Sequence, residues 1–383
     1  MKAYRKKILC FSHLCTPKFI TGAEKNFLFF VREIRAWTDA VLVVPNEGML
    51  SAEARKSGVP VIVGNFPPVP RFLWPKASFR EELALIESSP SLKDVENVLL
   101  REKADLVITN TTIHPIPAIV ARKLGIPVAW WIREMIPSKP YYQEVIPFIE
   151  RHADWIPGSS NAVLRRFSEE KKILIYPSWR SEEHSPESWG AYRDELRRKL
   201  GIDKSSLLVG TVAAYILPDK GLEHFVKMAL RLCERYDRVR FLSVGSKISP
   251  EYFEKCMNLV KSSNYADRFR FLDFTKEIER IYPALDIVVI PSLIEEGFGT
   301  TALEGLWFGK PVIAYASGGL KETLGATPYP ELLVEKGNLA ELQRMASRLI
   351  EDKSFRTKAG KGNLEAANRT FGIKSYRRAV KTL

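Results

Sequence analysis

Glu296 and Glu304 stand eight positions apart in Pro291-Ser292-Leu293-Ile294-Glu295-Glu296-Gly297-Phe298-Gly299-Thr300-Thr301-Ala302-Leu303-Glu304. Carboxylates on either side of a glycine-rich turn are suited to accepting hydrogen bonds from hydroxyls. Before them the β-branched run Ile287 to Ile290 stops at Pro291, and after the glycines a helical pattern begins; the reading is strand, loop, helix start. Gly297 and Gly299 let a ligand approach the backbone, and the N–H groups of the first turn, about Thr300 to Leu303, suit an anion such as a diphosphate. Carboxylates repel phosphate, so their partners are neutral hydroxyls, and hydroxyls beside a diphosphate mean a ribose and a sugar. The same residues also fit an ordinary buried helix start with Glu295 and Glu296 as solvated charges. Gly297 to Ala302 also fits G-x-G-x-x-A, but no acidic residue about 20 positions on completes a dinucleotide site.

Other residues with usable chemistry follow strand-like runs. Gly210-Thr211-Val212-Ala213-Ala214-Tyr215-Ile216-Leu217-Pro218-Asp219-Lys220-Gly221 ends in a lysine whose compact ammonium could stabilise phosphate charge; the plain alternative is a solvated turn lysine. Val128 to Ile132 leads into Arg133 and Glu134, and Leu106 to Thr109 leads into Asn110 and His114. His114 reads either as a cleft residue or as a helix-start or packing residue. After Ser12 and His13 come Thr21-Gly22-Ala23-Glu24 at a helix start.

The stretch from Pro291 resembles the E-x7-E signature of retaining, GT-B-type glycosyltransferases of family 4, P-S-x-x-E-G-F-G-x-x-x-x-E-A-x-A-x-G-x-P-V-I-A followed by G-G-x-x-E. Pro291, Ser292, Glu296, Gly297, Phe298, Gly299, Glu304, Gly309, Pro311, Val312, Gly318, Gly319 and Glu322 fall in step. The resemblance implies an α/β GT-B fold, two doubly wound Rossmann-like domains facing a central cleft. It implies metal-independent transfer, without a cofactor, of a sugar from a UDP- or GDP-linked nucleotide diphosphate sugar to a hydroxyl acceptor, as in cell-surface polysaccharide or glycolipid synthesis. Glu296 would serve the donor sugar, Glu304 the ribose, and Lys220 with the N–H groups of Phe298, Gly299 and Thr300 the diphosphate. Gly22 and Glu24 resemble the G-G-A-E element of the acceptor domain, with Thr21 where the first glycine is usual.

Two departures bear on mechanism. In the family's G-x-V-x-R-L-x-x-x-K-G loop Lys220 matches, but the Arg is replaced by Ala214 or Tyr215, depending on where a one-residue length difference is absorbed. Lys310, Lys321 and Arg133 are candidate substitutes. Arg133 also stands where the family has a His near the transferred sugar, and arginine cannot be a general base near neutral pH. Its expected role is electrostatic, with Glu134 orienting it or contacting the acceptor, and His114 is a further acceptor-side candidate. Another GT-B enzyme, a sugar phosphorylase or sugar nucleotide epimerase, and a non-catalytic nucleotide-sugar-binding protein stay open.

The elements that must position these residues repeat one theme. Strand-like runs at Lys7 to Phe11, Ala40 to Val44, Val59 to Val63, Leu106 to Thr109 and Val128 to Ile132 alternate with helical stretches, as do Leu207 to Val212, Val239 to Val244, Phe269 to Leu272, Ile287 to Ile290 and Val312 to Tyr315. Such alternation predicts parallel sheets covered by helices. A chain of 383 residues with 45% hydrophobic content supports two cores. We expect an acceptor domain at 1–178, a linker at 179–206, a donor domain at 207–365 and a C-terminal helix at 366–383 that crosses back.

No apolar run nears the roughly 18 to 20 residues of a membrane span. Cys10, Cys15, Cys233 and Cys256 show no C-x-x-C spacing, so free thiols and a cytoplasmic location are expected. The net charge of +13 calls for an anionic partner. Nucleic-acid motifs are missing, which leaves a diphosphate ligand or an anionic membrane. In Phe66 to Arg80 the aromatics Phe72, Trp74 and Phe79 alternate with prolines and with Arg71, Lys76 and Arg80. That segment reads either as peripheral docking at the inner face of the membrane with a lipid-linked acceptor or as a loop whose Phe72 and Trp74 pack on their own domain.

Overall fold

The computed structural model describes residues 5–180 and 185–383, and contact clustering divides the chain into two units. The first comprises Met1–Pro177 with Tyr376–Leu383, the second Ser178–Ser375. In the first unit β1 (Lys7–Phe11), β2 (Asp39–Val44), β3 (Val61–Val63), β4 (Leu106–Asn110) and β5 (Val128–Trp131) form a parallel sheet in the order β3-β2-β1-β4-β5. Apart from the edge strand β3, whose Val63 is exposed, these are largely apolar runs that bury both faces, as a helix-covered parallel sheet requires. Phe11, Val43, Phe72, Val107 and Trp130 meet in one core. A short parallel pair, β6 (Ile156–Gly158) and β7 (Lys172–Leu174), follows.

The second unit repeats the plan with six parallel strands, β8 (Leu207–Tyr215), β9 (Val239–Ser246), β10 (Phe269–Leu272), β11 (Ile287–Ile290), β12 (Val312–Tyr315) and β13 (Leu333–Val334). Their order is β10-β9-β8-β11-β12-β13. Each sheet is wound outward in one direction from its first strand and then in the other, so the order reverses between β1 and β4 and between β8 and β11. Loops at the carboxyl ends of those strands diverge and leave a crevice there.

The stretch read as a linker is instead part of the second unit, apart from 181–184, which lie outside the described residues. It carries the helix Trp189–Lys199, whose Arg193 and Arg197 bind the Asp286 carboxylate at 2.7 and 3.1 Å. Its charges therefore serve a buried ionic anchor. The last residues return to the first unit, where the Tyr376 ring meets Phe29 at 5.1 Å and Arg377 bonds Glu33 at 2.7 Å.

The segment from Phe66 to Arg80 divides between its two readings, Phe72 packing on its own domain and Trp74 standing out. Phe66, Phe72, Leu73 and Phe79 are buried in the first core, and Trp74 alone among its aromatics is exposed, at 60%. Burying a phenylalanine gains about 2 kcal/mol, and the 3-10 turn Pro70–Phe72 and the Ser78 cap of helix Phe79–Glu87 supply the geometry for it.

Candidate functional site

In the second unit the residues singled out above collect where the strand order reverses. Lys220 follows β8 through a turn closed by Gly221, whose φ of +73 and contact with the Pro291 carbonyl leave no room for a side chain. Lys220 Nζ lies 2.8 Å from Glu296 Oε1, and Ser292 Oγ donates to the same oxygen at 2.7 Å. Burial alone would push the Glu296 carboxyl up, but Lys220 and Ser292 hold it below the usual carboxylate range. For Lys220 burial acts downward, and the Glu296 charge outweighs it and raises the ammonium. The pair is thus ionised and preassembled. The ladder of β8 with β9 shifts register between Val212 and Tyr215, and Lys220 Nζ sits 5.5 Å from the Tyr215 ring centroid. This bulge is where the strand takes up its extra residue, and an aromatic face stands beside the lysine.

The glycine loop is braced from below. Gly319 N–H donates to the Glu296 carbonyl at 2.7 Å, Gly318 N–H to Glu295 Oε2 at 2.6 Å, and Thr323 Oγ1 to the Phe298 carbonyl at 2.7 Å. Lys336 pairs with the other Glu295 oxygen. Burial raises the Glu295 carboxyl, while Lys336 and the Gly318 N–H more than reverse it, so Glu295 is an exposed charge that also braces the loop. Gly299, at φ +86, caps the helix Thr300–Trp307, and the Phe298 side chain is buried beside Phe371. The Phe298 side chain is therefore turned into the core and leaves only its backbone on the loop.

Glu304 is buried one turn into that helix and accepts from Tyr282 Oη at 3.0 Å. Burial, then the Glu304 charge, push the Tyr282 hydroxyl well above its ordinary range, so it stays protonated and can donate. Nothing in the sequence links Tyr282 to Glu304 across 22 positions, whereas Ser292 was already visible inside the motif. Lys310 does not join the site. It follows the far end of the helix and donates to the Pro283 carbonyl at 3.1 Å, near Arg193 and Asp286. Lys321 is exposed and close enough to act on the Glu295 charge.

In the first unit a second polar group surrounds the carboxyl ends of β1, β4 and β5. Glu24 caps its own helix: Oε2 accepts from Thr21 N–H at 2.8 Å, closing a capping box with Thr21 on the helix that begins at Gly22. Its Oε1 lies 3.2 Å from His13 Nε2. Burial pushes Glu24 up to about 7 and His13 down to about 3, with Arg133 adding to the latter; a neutral imidazole makes no ion pair here. Arg133 Nε donates to Asn110 Oδ1 at 3.0 Å, and its guanidinium lies 4.1 Å over the Trp131 ring. Glu134 Oε2 accepts from the N–H and hydroxyl of Thr112, both at 2.9 Å. Thr111, between Asn110 and Thr112, has φ +76, a strained value for a β-branched residue. Asn110, Thr111 and Tyr376 were not foreseen, the last because only tertiary packing returns it to the first unit. His114 is a packing residue: its ring is wholly buried beside Phe66 and Phe11, with Nδ1 3.3 Å from Thr109 Oγ1.

Two open parallel sheets, each with its polar residues at the point where strand order reverses, define the GT-B fold of glycosyltransferases. Residues 192–365 match the family model of glycosyl transferases group 1. Over 167 residues it is 36% identical to 2-deoxystreptamine N-acetyl-D-glucosaminyltransferase of Streptomyces fradiae, covering 42% of this chain and 37% of that protein. Over 161 residues it is 32% identical to 2-deoxystreptamine glucosyltransferase of Streptomyces kanamyceticus, covering 42% and 40%. The matched region thus spans about two fifths of these relatives. Among solved structures, Anabaena Alr3699/HepE in complex with UDP-glucose superimposes with a TM-score of 0.81 at 21% identity, covering 98% of each chain.

Proposed function

We propose that the protein transfers a sugar, with retention of configuration, from a nucleotide diphosphate sugar to a hydroxyl acceptor. The observation that carries this reading is the Lys220–Glu296–Ser292 cluster at the carboxyl ends of β8 and β11, beside a braced glycine loop and one turn from Glu304. Lys220 and the Phe298 to Thr300 backbone would hold the diphosphate, Glu296 the hydroxyls of the donor sugar, and Glu304, oriented by Tyr282, the ribose. As the bond from the anomeric carbon to the phosphate oxygen breaks, charge grows on the leaving diphosphate, where Lys220 and the helix end are already oriented. The acceptor oxygen forms the new bond on the same face, and its proton passes to the departing phosphate oxygen. Arg133 in place of a His fits a route with no protein base.

A UDP-linked donor is favoured by the likeness to a protein solved with UDP-glucose. Synthesis of a cell-surface glycan on the cytoplasmic side of the membrane is the cellular setting we assign. The exposed Trp74 with Arg71, Lys76 and Arg80 supports peripheral docking there.

A thermal-shift panel of UDP-, GDP- and ADP-sugars tests the reading, since a ligand at 100 times its Kd adds about 2.7 kcal/mol of stability. One nucleotide series should stabilise the protein, and Lys220→Ala should lose far more turnover than donor affinity, because leaving-group charge is greatest in the transition state. Binding without transfer or hydrolysis would make the protein a nucleotide-sugar binder, and turnover with free phosphate or with no acceptor would make it a phosphorylase or epimerase.

A further inference from the structure

The buried guanidinium of Arg133 has no anionic partner. Among the described residues no carboxylate lies within ion-pair distance of it; its only side-chain hydrogen bond goes to the neutral Asn110 Oδ1, and it rests on the Trp131 ring. The two nearest acids are otherwise engaged. Glu134 receives both donors of Thr112, and Glu24 receives the Thr21 N–H on Oε2 while its Oε1, without a hydrogen-bond donor among the described residues, faces His13 Nε2 at 3.2 Å. Burial raises both carboxyls, Glu24 to about 7, and although both act on Arg133 through space, neither makes an ion pair or hydrogen bond with its guanidinium. A buried, uncompensated charge costs several kcal/mol, and such groups are normally paired.

The donors left over share one place. Arg133 Nη2 and Asn110 Nδ2 are both buried and, among the described residues, without a hydrogen-bond partner. Nη2 shares its carbon with Nε, and Nδ2 shares its carbon with Oδ1. The two idle donors therefore flank the single 3.0 Å bond between Nε and Oδ1. Trp131 Nε1, which can only donate, and the hydroxyls of Tyr376 and Thr111 are buried and idle as well. A neutral sugar hydroxyl would ask for acceptors and donors alike. Apart from Glu24 Oε1, which faces His13, the idle groups on these residues are N–H donors and hydroxyls, and donors set around an arginine ask for an oxyanion.

We propose that Arg133 and Asn110 form an oxyanion site in the first unit that captures a carboxylate or phosphate group carried by the acceptor. The assignment rests on the glycosyl-transfer reading and adds a substrate class to it: an acidic sugar or a phosphorylated alcohol. The guanidinium is then a binding group that orients the acceptor, and the Trp131 face keeps its fork in one plane.

The test is calorimetric titration of the full chain with inorganic phosphate, glucuronate and glucose, with UDP present at saturation to fill the donor site. Phosphate and glucuronate should bind, glucose at least tenfold more weakly. Arg133→Met should lose at least tenfold in affinity for both anions, and Lys220→Ala should keep it. Asn110→Asp provides a check that does not depend on removing the arginine: its carboxylate supplies the missing counter-ion, so Tm should rise while anion binding disappears. No anion binding, equal binding by Arg133→Met, or displacement of the anions by UDP overturns the proposal, the last by assigning the arginine to the donor diphosphate. Failure of UDP itself to bind would count against the transferase reading and leaves the anion titration to be judged separately.

Discussion

At the scale of single residues, the two acidic positions of the first unit differ in kind from those of the second. Glu296 is ionised because an ammonium and a hydroxyl converge on one of its oxygens. Glu24 is buried, and burial outweighs the Thr21 hydroxyl and N–H and the charge of Arg133, so its carboxyl rises to about 7. This has a consequence for stability. Below about pH 4.5 the group is protonated in both states; between there and about pH 7 the unfolded chain releases a proton that the folded chain keeps. Its contribution therefore falls as pH rises through that window, by on the order of 3 kcal/mol at most, and is constant above it. Glu24→Gln keeps the capping geometry and lacks the titration. Urea unfolding of both proteins from pH 4 to 8 should show the wild type losing stability relative to the variant up to about pH 7. A difference independent of pH would mean that Glu24 is ionised in the folded protein throughout.

At the scale of elements, the glycine loop is shaped by the helix behind it. Side chains at Gly318 and Gly319 would overlap the carbonyls of Glu296 and Gly297, so the two backbones can meet only at glycine. Gly318 also has φ +47. Thr323 closes the contact from helix Leu320–Gly325 by bonding the Phe298 carbonyl. Thr323→Val keeps the shape and leaves that buried carbonyl short of a donor, which costs about 1 to 3 kcal/mol. The expected outcome is a weaker donor affinity, read as a raised KM for nucleotide sugar, with a modest drop in Tm. An unchanged KM alongside the lowered Tm would show that the brace supports the fold and not the loop.

At the scale of the whole molecule, the charge of +13 acts on any anionic surface, but the segment chosen for membrane contact contributes one exposed aromatic and not four. Each basic residue near an anionic surface adds about 1 kcal/mol, so Arg71, Lys76 and Arg80 outweigh the apolar anchor. Flotation with anionic liposomes should then occur at low salt, weaken steeply as salt rises, and fall when those three residues and Trp74 are replaced. Protein that stays in the soluble fraction at low salt, or floats equally well after replacement, removes this segment from membrane contact.

What the chain's own order of residues determined is whatever depends on near neighbours. The alternation of apolar strands and helices places β1 to β5 and β8 to β12, and the close spacing of Pro291, Ser292, Glu296, Gly299 and Glu304 keeps the residues of the glycine loop within one short stretch of chain. Only the tertiary structure decided the long-range pairings. Lys220 meets Glu296 because β8 and β11 are neighbours at the reversal of strand order, and Tyr282 meets Glu304 across 22 positions. Lys310 is carried to the far end of its helix, His114 is drawn into the core between Phe11 and Phe66, and the supposed linker is bound to Asp286. The same holds for Arg133: sequence shows that it replaces a His, but its lack of a counter-ion is a property of what packs around it. Burial and partnership are set by contacts distant along the chain, and those contacts turn the type of a residue into its role.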